Sequence, residues 1–156
     1  MAKAKGKLKV FLCHASENKP IINDLFDRLT NSGFDPWLDS DAILPGMEPD
    51  MVIKKALRTV DAVLVCLSKI SIAKEGYVQK EIKISLDVQS EKPEGTIFLI
   101  PLRLEKCDTP YGLRDIQWGD YTAPDGYEKL VRALNMRAEQ LGKQTGTARP
   151  LKEKIS

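Results

Sequence analysis

The sequence predicts one α/β domain in which helices cover both faces of a mostly parallel, five-stranded sheet. Apolar segments of β character alternate along the chain with amphipathic segments of helical period. One apolar segment, residues 62–67, has no polar position, as expected for a central strand that is covered on both faces. The 156 residues can bury one sizeable core, and they leave no room for a second domain.

The first half of the chain contains two predicted strands and two predicted helices before the central strand. Residues 7–14 form the first strand, and Pro20 suits the first turn of a helix that ends at Gly33. The segments that follow are a strand at 35–38, an acidic loop at 39–49 with a Pro45-Gly46 turn, and a helix at 51–60. We expect this loop to lack apolar anchors.

The second half continues the same alternation after the central strand. A polar loop at 68–76 leads into an amphipathic helix at 77–90. The remaining elements are strands at 96–104 and 116–121 and a helix at 127–141, in which Leu130, Leu134 and Met136 are predicted to face inward. Strands interleaved with helices in this way are typical of βαβ units.

Five strands in this pattern favour the flavodoxin-like three-layer fold with strand order 2-1-3-4-5. In that order the direction of winding changes between strands one and three. Ligands of such sheets bind at this switch point, outside the carboxyl ends of the strands. We therefore expect a site where the loop 15–19 meets the loop 68–76 and the start of the next helix.

Charge is distributed unevenly along the chain. Residues 1–9 hold four lysines, and residues 143–156 hold four basic residues and one acid. The body between them has 16 basic and 21 acidic side chains, which argues against a nucleic-acid partner. We expect a flexible basic segment at 1–6, the domain at 7–142, and a flexible tail or linker at 143–156.

Neither a membrane span nor a metal site is expected from the sequence. No apolar run reaches about 18 residues, and the amino terminus lacks the apolar stretch of a secretory signal, so we expect a cytoplasmic protein without a membrane partner. Cys13 and Cys66 lie in apolar runs and are predicted to be reduced core residues. Cys107 is also predicted to be reduced. With one histidine and scattered cysteines, no metal is expected.

Three common occupants of this fold do not match the residues at the switch point. A phosphoacceptor receiver needs acids after strand one, where Cys13 and His14 stand instead. The loop after strand one has no glycine, so its amides are poorly placed to enclose a flavin phosphate. A P-loop with Gly-Lys-Ser/Thr is also absent.

From residue 8 to residue 141, the sequence resembles the TIR (Toll/interleukin-1 receptor) domain family. The matching pieces are the segment from Val10 to Ser16, Trp37-Leu-Asp39, the Leu44-Pro-Gly46 turn, the segment from Ser68 to Glu81, and the segment from Phe98 to Leu102. Each piece is weak alone, and their order and spacing together carry the resemblance. It is closest to bacterial NAD-cleaving members.

This resemblance implies a catalytic glutamate, because enzymatic members cleave NAD with the glutamate of a Trp-x-x-x-Glu motif. Glu81 matches it, and Tyr77 stands where tryptophan is usual. Four-residue spacing places both on one helical face. Nicotinamide leaves as a neutral molecule, so one fixed anion that stabilises the positive charge developing on the ribose can suffice. Composition alone favours an ordinary solvated surface charge for Glu81, and its position in the fold and its match to the family favour a functional role.

Further residues are candidates for substrate binding. These are Lys80 beside the glutamate, and His14, Ala15 and Ser16 after strand one. Trp37 either packs in the core or forms a ligand wall. Asp39 either caps the loop or orients a ribose hydroxyl. The resemblance implies that NAD+ is the substrate, so no cofactor is expected.

Two functional classes remain open from the sequence. The first is an NAD+ nucleosidase that releases nicotinamide and ADP-ribose or a cyclic isomer, in immune or antiviral signalling. The second is a non-catalytic adaptor that binds other TIR domains through an interface at Pro45 and Gly46. In either class, we expect self-association with other TIR domains.

Overall fold

Five parallel strands form one sheet in the protein, whose structure is a computed structural model that describes residues 6–38, 43–73 and 77–148. The strands are β1 (Lys9–Cys13), β2 (Asp35–Leu38), β3 (Ala62–Leu67), β4 (Leu99–Arg103) and β5 (Gly119–Asp120). Their order is β2-β1-β3-β4-β5, and each neighbouring pair is parallel. The predicted flavodoxin-like fold and strand order are confirmed.

The helices alternate with these strands along the chain. They are α1 (Lys19–Ser32), α2 (Pro49–Thr59), α3 (Lys69–Ala73), α4 (Tyr77–Ser90) and α5 (Gly126–Leu141). Pro20 lies in the first turn of α1, where its missing N–H costs no helical hydrogen bond. Gly33 ends α1 with a φ of 109°, a left-handed conformation that favours glycine.

Two apolar cores lie on opposite faces of the sheet, because side chains alternate along each central strand. On β1, Val10 and Leu12 pack with α1 and α5, whereas Phe11 and Cys13 pack on the α2 and α4 side. Every residue of β3 is buried, so the prediction of a central strand covered on both faces is correct.

Some elements differ in extent from their predictions. The strand predicted at 116–121 contains only Gly119–Asp120, although the Tyr121 N–H still donates to the Arg103 carbonyl at 2.9 Å. The inward orientation predicted for Met136 is wrong, because its side chain is 56% exposed. The buried apolar side chains of α5 follow a helical stripe that position 136 does not join: Tyr127, Leu130, Val131, Leu134 and Ala138.

The apolar runs around two of the three cysteines correctly predicted that these two are buried. Cys13 and Cys66 are buried, as predicted, and Cys107 is partly exposed. Burial raises the pKa of the Cys66 thiol to about 12, so it stays protonated at neutral pH. Within residues 6–38, 43–73 and 77–148, no helix is long and apolar enough to cross a membrane.

The chain after α5 packs against the domain at 143–148, beyond the predicted boundary at 142. The Asn135 side-chain amide pairs with both the N–H and the carbonyl of Gly146, and the Thr147 N–H donates to the Ser32 carbonyl at 3.0 Å. The Lys143 ammonium lies 2.6 Å from an Asp61 carboxylate oxygen, with both side chains mostly buried. The rest of the predicted flexible ends, residues 1–5 and 149–156, lies outside the described residues.

We expect Gly146→Ala to destabilise the domain by about 1–3 kcal/mol, the usual effect of overpacking. An added Cβ at this position would lie 2.5 Å from the Ser32 carbonyl oxygen and 2.8 Å from the Phe34 ring. Urea unfolding measures the change. Gly112→Ala is the control, since its Cβ would meet only the end of the Leu86 side chain at 3.4 Å. Equal stability of the two variants would show that residues 143–148 are not held against the body.

Candidate functional site

The loops that follow β1 and β3 meet at the switch point through buried hydrogen bonds. The Ser68 hydroxyl donates to the Asn18 side-chain oxygen at 2.8 Å, which joins the two loops. Within the second loop, the Ser68 N–H donates to the Ser71 hydroxyl at 2.8 Å, and the Ser71 N–H donates to the Ser68 hydroxyl at 3.1 Å. All three side chains are buried. The predicted meeting of these loops is therefore present, and hydroxyl and amide groups hold it.

Glu81 lies on the sheet-facing side of α4, with 1% of its surface exposed. Ser85 and Val88 are buried on the same side, at the four- and seven-residue spacing of one helical stripe. Carboxylates are rarely buried to this extent, because removal from water penalises their charge. An ordinary solvated surface charge is therefore excluded for Glu81.

A groove of about 320 Å³ separates α2 from α4 and contains Glu81 in its wall. Ile53 of α2 and Ile84 of α4 supply its apolar part. The remaining lining residues are charged: Asp50, Lys54, Lys80, Lys83 and Asp87. The Lys80 ammonium lies 3.3 Å from an Asp50 carboxylate oxygen and so links the two helices. Both side chains are 63% exposed, and ion pairs this exposed contribute little to stability.

The residues predicted after β1 lie apart from this groove. His14 is buried, with its Nδ1 atom 3.0 Å from the Leu12 carbonyl oxygen. Ala15 is also buried, and neither residue lines the groove. Ser16 is exposed, and its hydroxyl donates to a Glu17 carboxylate oxygen at 3.4 Å. Of the predicted substrate-binding residues whose side chains the structure describes, Lys80 alone joins Glu81 in the groove lining.

Trp37 lies on the edge strand β2, in register with Phe11, and is 37% exposed. The Lys9 ammonium lies 5.6 Å from the centre of its ring, within reach of a cation–π contact. Trp37 is thus only partly packed. Asp39 lies outside the described residues, and so does the side chain of Tyr77, the first residue of α4.

The described part of the long loop, residues 43–49, is largely exposed. Gly46 has a φ of 93° and stands in open space, as the Pro45-Gly46 turn requires. Leu44 and Met47 are 56% and 46% exposed. The expected lack of apolar anchors is wrong for Ile43, which packs against the core on the α2 and α4 side.

Four charged groove residues, Asp50, Lys54, Lys83 and Asp87, are absent from the sites predicted from the sequence. Charged residues on amphipathic helices usually indicate a solvent-facing side, and their spacing does not show which helix they oppose. Only the packing of α2 beside α4 brings them to one groove. Among the residues that the structure describes, no group of three His, Cys, Asp or Glu side chains is placed to hold a metal ion.

The sheet order, with its two joined loops after β1 and β3, defines the class of protein, a flavodoxin-like α/β domain. A sequence model of the TIR domain family matches residues 10–134. The chain therefore belongs to the TIR domain family. Among curated proteins, none matches the chain.

Solved structures share this fold at low sequence identity. The TIR domain of the Toll-related receptor TRR-2 from Hydra magnipapillata is 23% identical, with a TM-score of 0.67 over 79% of this chain and 94% of that one. A prokaryotic SEFIR domain is 18% identical, with a TM-score of 0.62 over 81% and 98% of the two chains. The TIR domains of the activated Roq1 resistosome are 18% identical, with a TM-score of 0.52 over 85% of this chain and 84% of that one. These similarities show the fold alone.

We expect Asn18→Ala and Ser68→Ala each to lower the free energy of unfolding by about 1–3 kcal/mol, because each leaves a buried polar partner unsatisfied. The double variant should lose less than the sum, with a coupling of about 0.5–3 kcal/mol. Urea unfolding of the four proteins measures this coupling. Ser90→Ala is the control, since its exposed hydroxyl bonds only within its own helix turn. Strict additivity would show that the two loops are not linked.

Proposed function

We propose that this TIR domain is an NAD+ nucleosidase in which Glu81 is the catalytic residue. The observation that carries the proposal is the position of Glu81, buried on α4 and yet part of the wall of the groove between α2 and α4. Retaining a carboxylate in such surroundings costs folding free energy. Local arrangements that oppose stability are expected at functional sites.

The proposed chemistry needs one negative charge near the nicotinamide ribose. Nicotinamide departs without protonation, and positive charge develops on the ribose as the glycosidic bond breaks. A carboxylate held away from water stabilises that charge more strongly than a solvated one. Attack by water gives ADP-ribose, and attack by the adenine ring gives a cyclic isomer. NAD+ is the substrate, and no cofactor enters the reaction.

Other residues have supporting roles in this proposal. Lys80 stands on the rim of the groove, next to Glu81 in the helix. Tyr77 begins α4 one turn before Glu81, so its aromatic ring would hold the nicotinamide ribose end. His14, Ala15 and Ser16, together with Trp37 and Asp39, remain candidates for contact with more distant parts of NAD+. We place the reaction in cytoplasmic immune-type signalling.

Self-association is part of the same proposal. At 1% exposure, Glu81 is inaccessible until the groove widens, and a neighbouring copy can supply the required contacts. The loop that leads into α2 exposes Leu44 at 56% and Met47 at 46%, and the first turn of α2 exposes Met51 at 65%. Burial of these residues against a second TIR domain would be favourable. The structurally similar Roq1 TIR domains belong to an activated resistosome.

The same exposed residues also favour a second candidate, a non-catalytic adaptor. An adaptor needs only the interface around Pro45 and Gly46, where Leu44 and Met47 protrude. The two candidates differ in their need for the Glu81 charge. An adaptor would bind other TIR domains equally well with glutamine at that position, and it would leave NAD+ intact.

We expect Glu81→Gln to lower NAD+ turnover by about 100-fold or more, as other deletions of transition-state electrostatics do. Glutamine keeps the size of the side chain and removes its charge. Chromatography of the products at high protein concentration measures turnover, and circular dichroism checks the fold. Glu91→Gln is the control, since Glu91 is exposed in an ion pair with Arg58. Full turnover in a folded Glu81→Gln protein would contradict the catalytic role.

We also expect specific activity to rise with protein concentration, because a shared site forms only on assembly. Gly46→Pro should reduce both the activity and this dependence, since proline cannot adopt the φ of 93° at that position. Gly95→Pro is the matched control: its φ is 88°, and it lies in the loop before β4. Specific activity that stays constant from dilute to concentrated protein would show that one chain forms a complete site.

A further inference from the structure

Two lysines line the groove beside Glu81 from opposite walls. Lys54 belongs to α2 and Lys83 to α4, and the side chains of both are exposed. Lys83 lies only two positions after Glu81 in the helix. The groove therefore combines a buried carboxylate with two positively charged groups that reach solvent.

Neither of these lysines is neutralised by a carboxylate in the described part of the chain. Other basic residues there do have such partners: Arg58 with Glu91, Lys80 with Asp50, Lys129 with Asp125, and Lys143 with Asp61. Lys54 and Lys83 thus keep their full charge available to a ligand.

The chemistry of a dinucleotide matches this arrangement. Its glycosidic bond and its pyrophosphate are separated by one ribose, and the pyrophosphate carries two negative charges. A site that holds the ribose at Glu81 must therefore meet the phosphates a short distance away. Lysine is a common phosphate ligand, because its ammonium donates three hydrogen bonds from a flexible stem.

We infer that Lys54 and Lys83 bind the pyrophosphate of the dinucleotide and thereby select phosphate-bearing substrates over nicotinamide riboside. This inference rests on the proposed function, because it takes Glu81 as the residue at the ribose. It assigns substrate selection to the packing of α2 against α4. Asp87, on the same rim, opposes this binding through its negative charge.

The test compares steady-state kinetics of Lys54→Ala, Lys83→Ala and the double variant. Each single substitution should raise KM for NAD+ about tenfold, the effect of losing a charge-assisted hydrogen bond, while kcat changes little. Turnover of nicotinamide riboside, which has no phosphate, should be unchanged. Lys55→Ala is the matched control: Lys55 is the neighbour of Lys54 on α2, equally exposed and outside the groove lining. Asp87→Asn should shift KM downward.

The inference is overturned if the double variant keeps the wild-type KM for NAD+, or if Lys55→Ala raises KM equally. It is also overturned if turnover of the riboside falls in parallel with that of NAD+. The inference is supported if salt raises the KM of the wild-type protein more than that of the double variant, because salt screens the attraction between exposed charges.

Binding of ADP-ribose, measured by calorimetry, separates this inference from the proposed function. Loss of ADP-ribose binding in the double variant supports the phosphate site, even if NAD+ is never cleaved. Wild-type binding in the double variant overturns the phosphate site, even if Glu81-dependent cleavage is observed. Absence of both cleavage and ADP-ribose binding by the wild-type protein overturns both.

Discussion

The burial of β1 and β3 on both faces is the constraint on which the rest of the structure depends. Their side chains alternate between two cores, so helices must cover each face of the sheet. Right-handed crossovers then place α1 on one face and both α2 and α4 on the other, because the direction of winding changes between β1 and β3. The loops after β1 and β3 therefore meet at the carboxyl edge, where the Asn18 and Ser68 side chains join them.

The proposed site uses that architecture in two ways. The helix after β3 presents Glu81 toward the sheet, where apolar neighbours such as Ile53 and Ile82 keep water away. The same helix presents lysines to the groove that it forms with α2. In the proposal, the buried Glu81 carboxylate stabilises the charge that develops on the ribose. The exposed lysines nearby bind the phosphates. The proposed chemistry thus depends on the contact between α2 and α4, and the fold alone does not specify it.

Periodicity and composition predicted the class of fold, the strand order and the helix that carries Glu81. Local patterns suffice for such features, because alternation and helical spacing are read over a few residues. They also identified the two loops of the switch point. The same patterns could not show that Met136 faces solvent, since small rotations of the helical stripe depend on how α5 packs. Nor could they show that residues 143–148 pack against α1, because Gly146 fits there only through a close approach to Ser32.

What the sequence by itself determined is therefore the order of elements and the switch point, while its resemblance to TIR domains singled out Glu81 as the candidate carboxylate. The tertiary structure alone decided that Glu81 is buried and that Lys54 shares a groove with Lys83. The reason is physical: these two lysines are 29 positions apart, and their encounter depends on the packing of two helices against one sheet. Such packing is set by the shapes of many side chains together, and no local pattern of residues records it.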